Sequence, residues 1–285
     1  MPRLFYVLQG VGAGFFFGTA SIFVRFLTGV DAFTIVVFRV LVAGLLLSVL
    51  AAFFFRSDVV KAFRSFPGEI PLLGLLLSFH FIFFVLGVQN TSVVNATTLV
   101  NTTPAMALAI GWGLGWTRPS NLNVVGLVLA VAGSATMALG ESSGAGGGLL
   151  GNVYAVLGAF FWALYLVVGK RVRQEVNIFA VFGPLLLFTS LPALAAAYLL
   201  GQGLYPPNLE QTLFLLALAL FPTVLGHGLQ FSSLRGLHPY QASSLALLEP
   251  IVAALLAAVL LAEVAGPVTY LGAAAVILGI YLVIR

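Results

Sequence analysis

Residues 95–133 read NATTLVNTTPAMALAIGWGLGWTRPSNLNVVGLVLAVAG, and residues 241–279 read QASSLALLEPIVAALLAAVLLAEVAGPVTYLGAAAVILG. Laid over one another at a shift of 146, Ala96-Thr97-Thr98-Leu99 falls on Ala242-Ser243-Ser244-Leu245, Pro104 on Pro250, Gly126 on Gly272 and Gly133 on Gly279. Two unrelated apolar helices would share hydrophobicity but not this spacing of small residues and proline, so the chain carries an internal repeat. Nearer the start, a shift of 144 brings Gly14, Phe16 and Phe17 onto Gly158, Phe160 and Phe161. The two copies divide the chain into a first repeat, residues 1–140, and a second, residues 149–285.

What surrounds this repeat follows from composition. Of 285 residues 61% are hydrophobic and 7% charged, against roughly one quarter charged in a soluble domain, so a water-facing surface cannot be assembled and the solvent is lipid. A helix needs about 20 apolar residues to cross the ~30 Å hydrocarbon core. Segments of that length fall at 4–27, 31–55, 70–88, 93–115, 121–140, 149–169, 178–200, 211–233, 239–261 and 266–284. The expected fold is therefore an all-α integral membrane bundle of ten transmembrane helices, five in each repeat. The first segment is longer than the 7–15-residue core of a signal peptide and reads as a retained span. Because five is odd, the second copy enters the membrane upside down, giving two inverted five-helix repeats.

Placing the N-terminus in the cytoplasm puts Arg3, Arg56, Lys61, Arg64, Arg118, Lys170, Arg171, Arg173, Arg235 and Arg285 on one side, with Arg25 near the other and Arg39 inside a span. That asymmetry is the positive-inside pattern, so both termini read as cytoplasmic in the cell (inner or plasma) membrane. Asp31, Glu141, Glu210 and Glu263 fall in the opposite loops. The net charge of +4 is spread over short loops rather than gathered into a patch with interleaved aromatics, so it points to topology and not to nucleic acid. Cysteine is absent, which removes disulfides, thiolate catalysis and thiolate-bound metals.

The run from Asn95 to Gly133 and its copy, each with a proline near mid-helix, resembles the EamA repeat of the drug/metabolite transporter superfamily. So does the segment ending Leu261-Ala262-Glu263 with Gly272 nine residues on. The likeness covers nearly the whole chain, and within the superfamily it is similar to the YddG-type exporters of aromatic and other amino acids. The first copy departs from the pattern, with Trp116-Thr117 where the second has Ala262-Glu263. The resemblance implies a secondary transporter that exports small metabolites, amino acids above all, by alternating access around a midplane cavity. It implies no cofactor, and a monomer is the expectation. An exporter of another small solute or drug would share the fold. A membrane-embedded lipid or isoprenoid transferase would want clustered carboxylates, and the sequence has none.

Polar residues inside spans are the candidates for function, because hydrocarbon leaves them no other partners than protein or a water-filled path. On the sixth span Trp162 and Tyr165 stand where the first span has Gly18 and Ser21, so the repeat's symmetry is broken by two large aromatics. They either line a cavity and stack on a substrate or belong to an interfacial belt; about ten residues into its span, Trp162 lies nearer the middle than an interface. Thr98 and Asn101, with Asn95 and Thr102 nearby, make a polar stripe matched by Gln241 and Ser244 in the ninth span. A shared pathway and hydrogen-bonded helix packing both account for it. His80 and His227 occupy related positions in the third and eighth spans if a one-residue gap is allowed. Each is a substrate-binding candidate or a satisfied buried ring; a metal site is not expected, since no carboxylate stands at ligand spacing.

Arg39 and Glu249 are the two ionisable groups deep within spans, readable as substrate or proton coupling groups or as one mutually neutralising structural pair. Pro104 and Pro250 interrupt the helices at matched points, as hinges or as fixed kinks. Gly10, Gly14 and Gly18 repeat at four-residue spacing, the pattern of close helix packing.

Overall fold

The computed structural model describes residues 2–91, 93–141, 148–201, 204, 208–261 and 266–285. Glu263 and the side chains of Ser21, Arg25, Asn95 and Glu141 lie outside what is described. Among the described residues every regular element is helical. The helices are α1 (Arg3–Phe17), α2 (Ala20–Phe26), α3 (Ala32–Phe54), α4 (Arg56–Ser65), α5 (Glu69–Asn90), α6 (Val93–Val100), α7 (Thr103–Gly113) and α8 (Asn121–Glu141). They continue with α9 (Leu149–Glu175), α10 (Ile178–Leu199), α11 (Leu209–Leu218), a π-helical segment Ala219–His227, α12 (Gly228–Ser233), α13 (Pro239–Ala246), α14 (Glu249–Leu261) and α15 (Pro267–Ile284).

Nine helical runs among the described residues are long and apolar enough to cross a bilayer, and the chain is an all-α, multi-pass membrane protein. The tenth expected segment, 93–115, is not one helix. It is divided into pieces of 8 and 11 residues by a turn at Asn101-Thr102. The Thr102 and Thr103 hydroxyls donate to the Leu99 and Val100 carbonyls at 2.6 and 2.7 Å, and Pro104 brings no N–H to the first turn of α7. The second copy breaks at the corresponding place, between α13 and α14 at Leu247-Leu248, with Pro250 again the second residue of the new helix. Both prolines thus open a helix after a break rather than bend a continuous one. A further departure is α4, a ten-residue helix with its polar and apolar residues on separate faces, in the stretch Arg56 to Glu69 that reads as a loop.

Glycine sets the helix contacts, since without a hydrophobic force between spans close backbone approach and van der Waals packing hold them. α8 and α15 cross at Gly126, Gly133, Gly272 and Gly279. A Cβ at Gly133 would lie 2.7 Å from the Gly272 carbonyl oxygen, and one at Gly126 would lie 2.7 Å from that of Gly279. As the residue number rises in α8 its partner's falls in α15, so the helices run antiparallel, and each glycine faces the repeat mate of the other. α1 packs along α13 and α14 through Gly10, Gly14 and Gly18, whose faces meet Leu245, Leu248 and Val252 in turn. α5 lies antiparallel to α9, with Gly87 against Ala155 and Gly158 against Phe84.

Candidate functional site

The π-helical segment begins the site. Pro222 has no N–H, so the Leu218 carbonyl four residues earlier loses its helical donor. The Thr223 hydroxyl also donates to that oxygen, at 2.8 Å. The same hydroxyl oxygen accepts the Arg39 Nε–H of α3 at 3.0 Å. Arg39 is held on its other side by Phe81 of α5, whose ring centre is 4.3 Å from the guanidinium carbon, a cation–π contact. A buried arginine is thereby held in orientation by a threonine hydroxyl of the proline-containing π turn. The wider π turn accommodates an additional residue and ends at His227.

Next to Arg39 is a box of rings. His80 stacks on Trp162 with centroids 4.8 Å apart and planes 26° from parallel. Phe17 of α1 meets Trp162 edge-on at 5.6 Å and His227 at 4.6 Å, and Phe81 meets His227 at 4.9 Å. Polar tethers hold these rings. Trp162 donates its indole N–H to Gln230 Oε1 at 3.0 Å. His80 Nδ1 lies 3.0 Å from the Gly158 carbonyl oxygen, which only accepts, so Nδ1 carries the proton and donates there. Gly158 permits that approach, since α5 backbone lies within 3.5 Å of where its Cβ would be.

These groups line a narrow cavity of about 30 Å³, room for a water or two. Arg39, His80, Phe81, Trp162, His227 and Glu249 all line it, and Phe84, Val100, Ala20 and Pro222 close the wall. Arg39 and Glu249 are 2% and 9% exposed and close enough to feel each other's charge. They form no ion pair within 4.0 Å among the described residues.

Of the residues singled out from the sequence, the structure brings His80, Trp162, His227, Arg39 and Glu249 to this one cavity. The others it places elsewhere. Tyr165 is fully buried against Phe231, with centroids 5.7 Å apart; three residues beyond Trp162 rotates a helical side chain about 60° off its direction. Asn101 donates to Ser134 on α8 at 2.8 Å, and Ser244 donates to the Tyr240 carbonyl of its own helix at 2.7 Å. Thr98 is half-buried and outside the cavity lining, as are Pro104 and Pro250. Phe17, Phe81, Thr223 and Gln230 join the site without having been candidates; of these, Thr223 and Gln230 stand out in the sequence as polar residues within an apolar span.

Comparison with known proteins places this geometry in context. The EamA-like transporter family matches residues 4–139 and again residues 149–285. A protein of Salmonella typhimurium named "Probable amino-acid metabolite efflux pump" is 27% identical over 220 residues, 73% of this chain and 74% of that protein. A solved crystal structure of a protein 17% identical superposes with a TM-score of 0.81, covering 99% of this chain and 96% of the other, which is a likeness of fold.

Proposed function

The chain belongs to the EamA-like transporter family, and from that premise we propose that it exports amino acids, aromatic ones among them, by alternating access around the cavity between its two halves. It is a membrane transporter of small metabolites and not an enzyme. The observation that carries the finer reading is the content of the cavity, which joins an aromatic box of Phe17, His80 and Trp162 to two charges, Arg39 and Glu249, that make no ion-pair contact among the described residues of an apolar bundle. An aromatic side chain finds stacking partners there, and its polar end finds groups that hydrocarbon does not offer. The Salmonella relative, named for efflux of amino-acid metabolites, supports the same substrate class.

The inverted 5+5 arrangement, with repeats 1–140 and 149–285, ten spans and both termini in the cytoplasm of an inner or plasma membrane, belongs to this proposal. Its support is the 146-residue repeat, the antiparallel crossing of α8 and α15 at exchanged glycines and the one-sided distribution of basic residues. Two halves of related sequence provide two gates around one site. A cavity with room for a water or two holds nothing larger, so substrate entry requires the halves to move.

Purified protein in liposomes tests the substrate assignment. A panel of amino acids, nucleosides, sugars and polyamines, run with and without an imposed pH gradient, is expected to give saturable uptake of phenylalanine and other amino acids. Saturable uptake confined to another solute class would overturn the assignment.

A further inference from the structure

We infer that Arg39 and Glu249 are the two poles of a zwitterion site, Arg39 taking the carboxylate and Glu249 the ammonium group of an α-amino acid. The inference rests on the reading of the cavity as the substrate site. Each charge is buried, and each faces the same small space without a counter-ion in contact. Arg39 spends its Nε–H on Thr223, and its terminal amino groups have no hydrogen-bond partner among the described residues. The Glu249 carboxylate likewise has none. An ion stripped of water in a low-dielectric interior is costly unless a counter-charge and hydrogen bonds complete it. A lone anion would complete Arg39 and leave Glu249 bare, and a lone cation the reverse. A ligand carrying both charges close together satisfies both.

The repeat strengthens the assignment. Arg39 corresponds to an uncharged residue at either shift of the repeat, Gly183 at 144 or Leu185 at 146, and Glu249 corresponds to Thr103 at 146. Thr103 uses its hydroxyl on the Val100 carbonyl, and Leu185 is fully buried in the core. The framework is therefore built without either charge in the other copy, and each half contributes one pole. Glu249 opens α14, where the helix dipole favours a carboxylate. Phe81 backs the guanidinium at 4.3 Å, so Arg39 keeps its direction when the cavity is empty. A substrate that bridges the poles also ties the two halves together, the differential contact that a change of access requires.

The test pairs variants with substrate derivatives. Phenylalanine, phenylalaninamide (ammonium only) and N-acetylphenylalanine (carboxylate only) compete for labelled phenylalanine uptake in liposomes. Wild type is expected to favour phenylalanine over both by about tenfold or more, the value of one lost charged hydrogen bond. In Arg39→Gln the preference over the amide should collapse while that over the acetyl derivative persists; in Glu249→Gln the reverse should hold. Thr223→Val, which keeps the charge and frees the guanidinium, should weaken the preference over the amide alone. A wild type that takes all three alike, or folded variants that lose all three equally, would overturn the charge assignment while leaving amino-acid transport standing. A wild type that carries none of them but shuttles another solute would sink the functional reading itself. Should Arg39→Gln fail to fold, the wild-type preferences with the Glu249→Gln and Thr223→Val patterns decide the matter.

Discussion

Replacing Trp162 with alanine is expected to cut uptake of phenylalanine at subsaturating concentration by about tenfold, while uptake of alanine changes by about twofold or less. The larger loss follows from stacking worth about 0.5–1.5 kcal/mol beyond simple burial, which only a ring-bearing substrate forfeits. The protein itself is also weakened. The indole supports His80 on its face and Phe17 on its edge, and it is the donor to Gln230 Oε1. Gln230 Nε2 is already without a partner, so the alanine variant leaves that amide wholly unpaired in the interior. Truncating a buried tryptophan costs about 3–5 kcal/mol, which a lower melting temperature in detergent will register. Trp162→Phe separates the two effects, because it retains a ring for stacking while losing the hydrogen bond and part of the indole's buried volume. It should keep most of the preference for aromatic substrates. Equal loss for every substrate in both variants would identify a folding defect and remove Trp162 from the site.

The second large effect is structural. Gly133→Leu drives an isobutyl group into the α8–α15 crossing, where even a Cβ would lie 2.7 Å from the Gly272 carbonyl oxygen and from the Val276 nitrogen. Those are backbone atoms and cannot swing aside as a side-chain end does. Overpacking of this kind costs about 1–3 kcal/mol and more where nothing yields, and in lipid no hydrophobic force compensates for helices held apart. The variant should yield little monodisperse protein and melt well below wild type. Gly113→Leu is the control, since nothing lies within 4 Å of its Cβ position; its melting temperature should stay close to wild type. A Gly133→Leu protein that melts like wild type would refute the crossing.

The fold was legible because bilayers accept few solutions. Long apolar runs must be helices, and the paired Pro104/Pro250 and Gly133/Gly279 marked the copies. Less legible was local backbone geometry. Nothing in an apolar run announces that Ala219–His227 is π-helical, or that the segment beginning at Val93 breaks at Asn101 rather than bending at Pro104, because those outcomes depend on which carbonyls find substitute donors. The charges of α4, Arg56, Asp58, Lys61 and Arg64, read as a loop at the level of composition.

For the site, the expensive groups were the informative ones. Arg39, Glu249, His80, His227 and Trp162 cannot be satisfied within their own helix, and they meet around one space. Ser244 and Asn101 need less. One backbone carbonyl or one neighbouring hydroxyl suffices for each, so their presence in a span says nothing of a cavity. Phe17 and Phe81 were hidden for the opposite reason, since with 25 phenylalanines in the chain a ring facing a cavity and a ring facing lipid look alike in sequence.

Counterflow tests the central claim, that one centrally placed site is exposed alternately to the two sides. Liposomes loaded with unlabelled phenylalanine and diluted into labelled phenylalanine should accumulate label transiently above its equilibrium level, because a carrier returning loaded exchanges one molecule for another. Label that rises monotonically to equilibrium without such an overshoot, at every internal phenylalanine concentration, would contradict it and make the chain a channel.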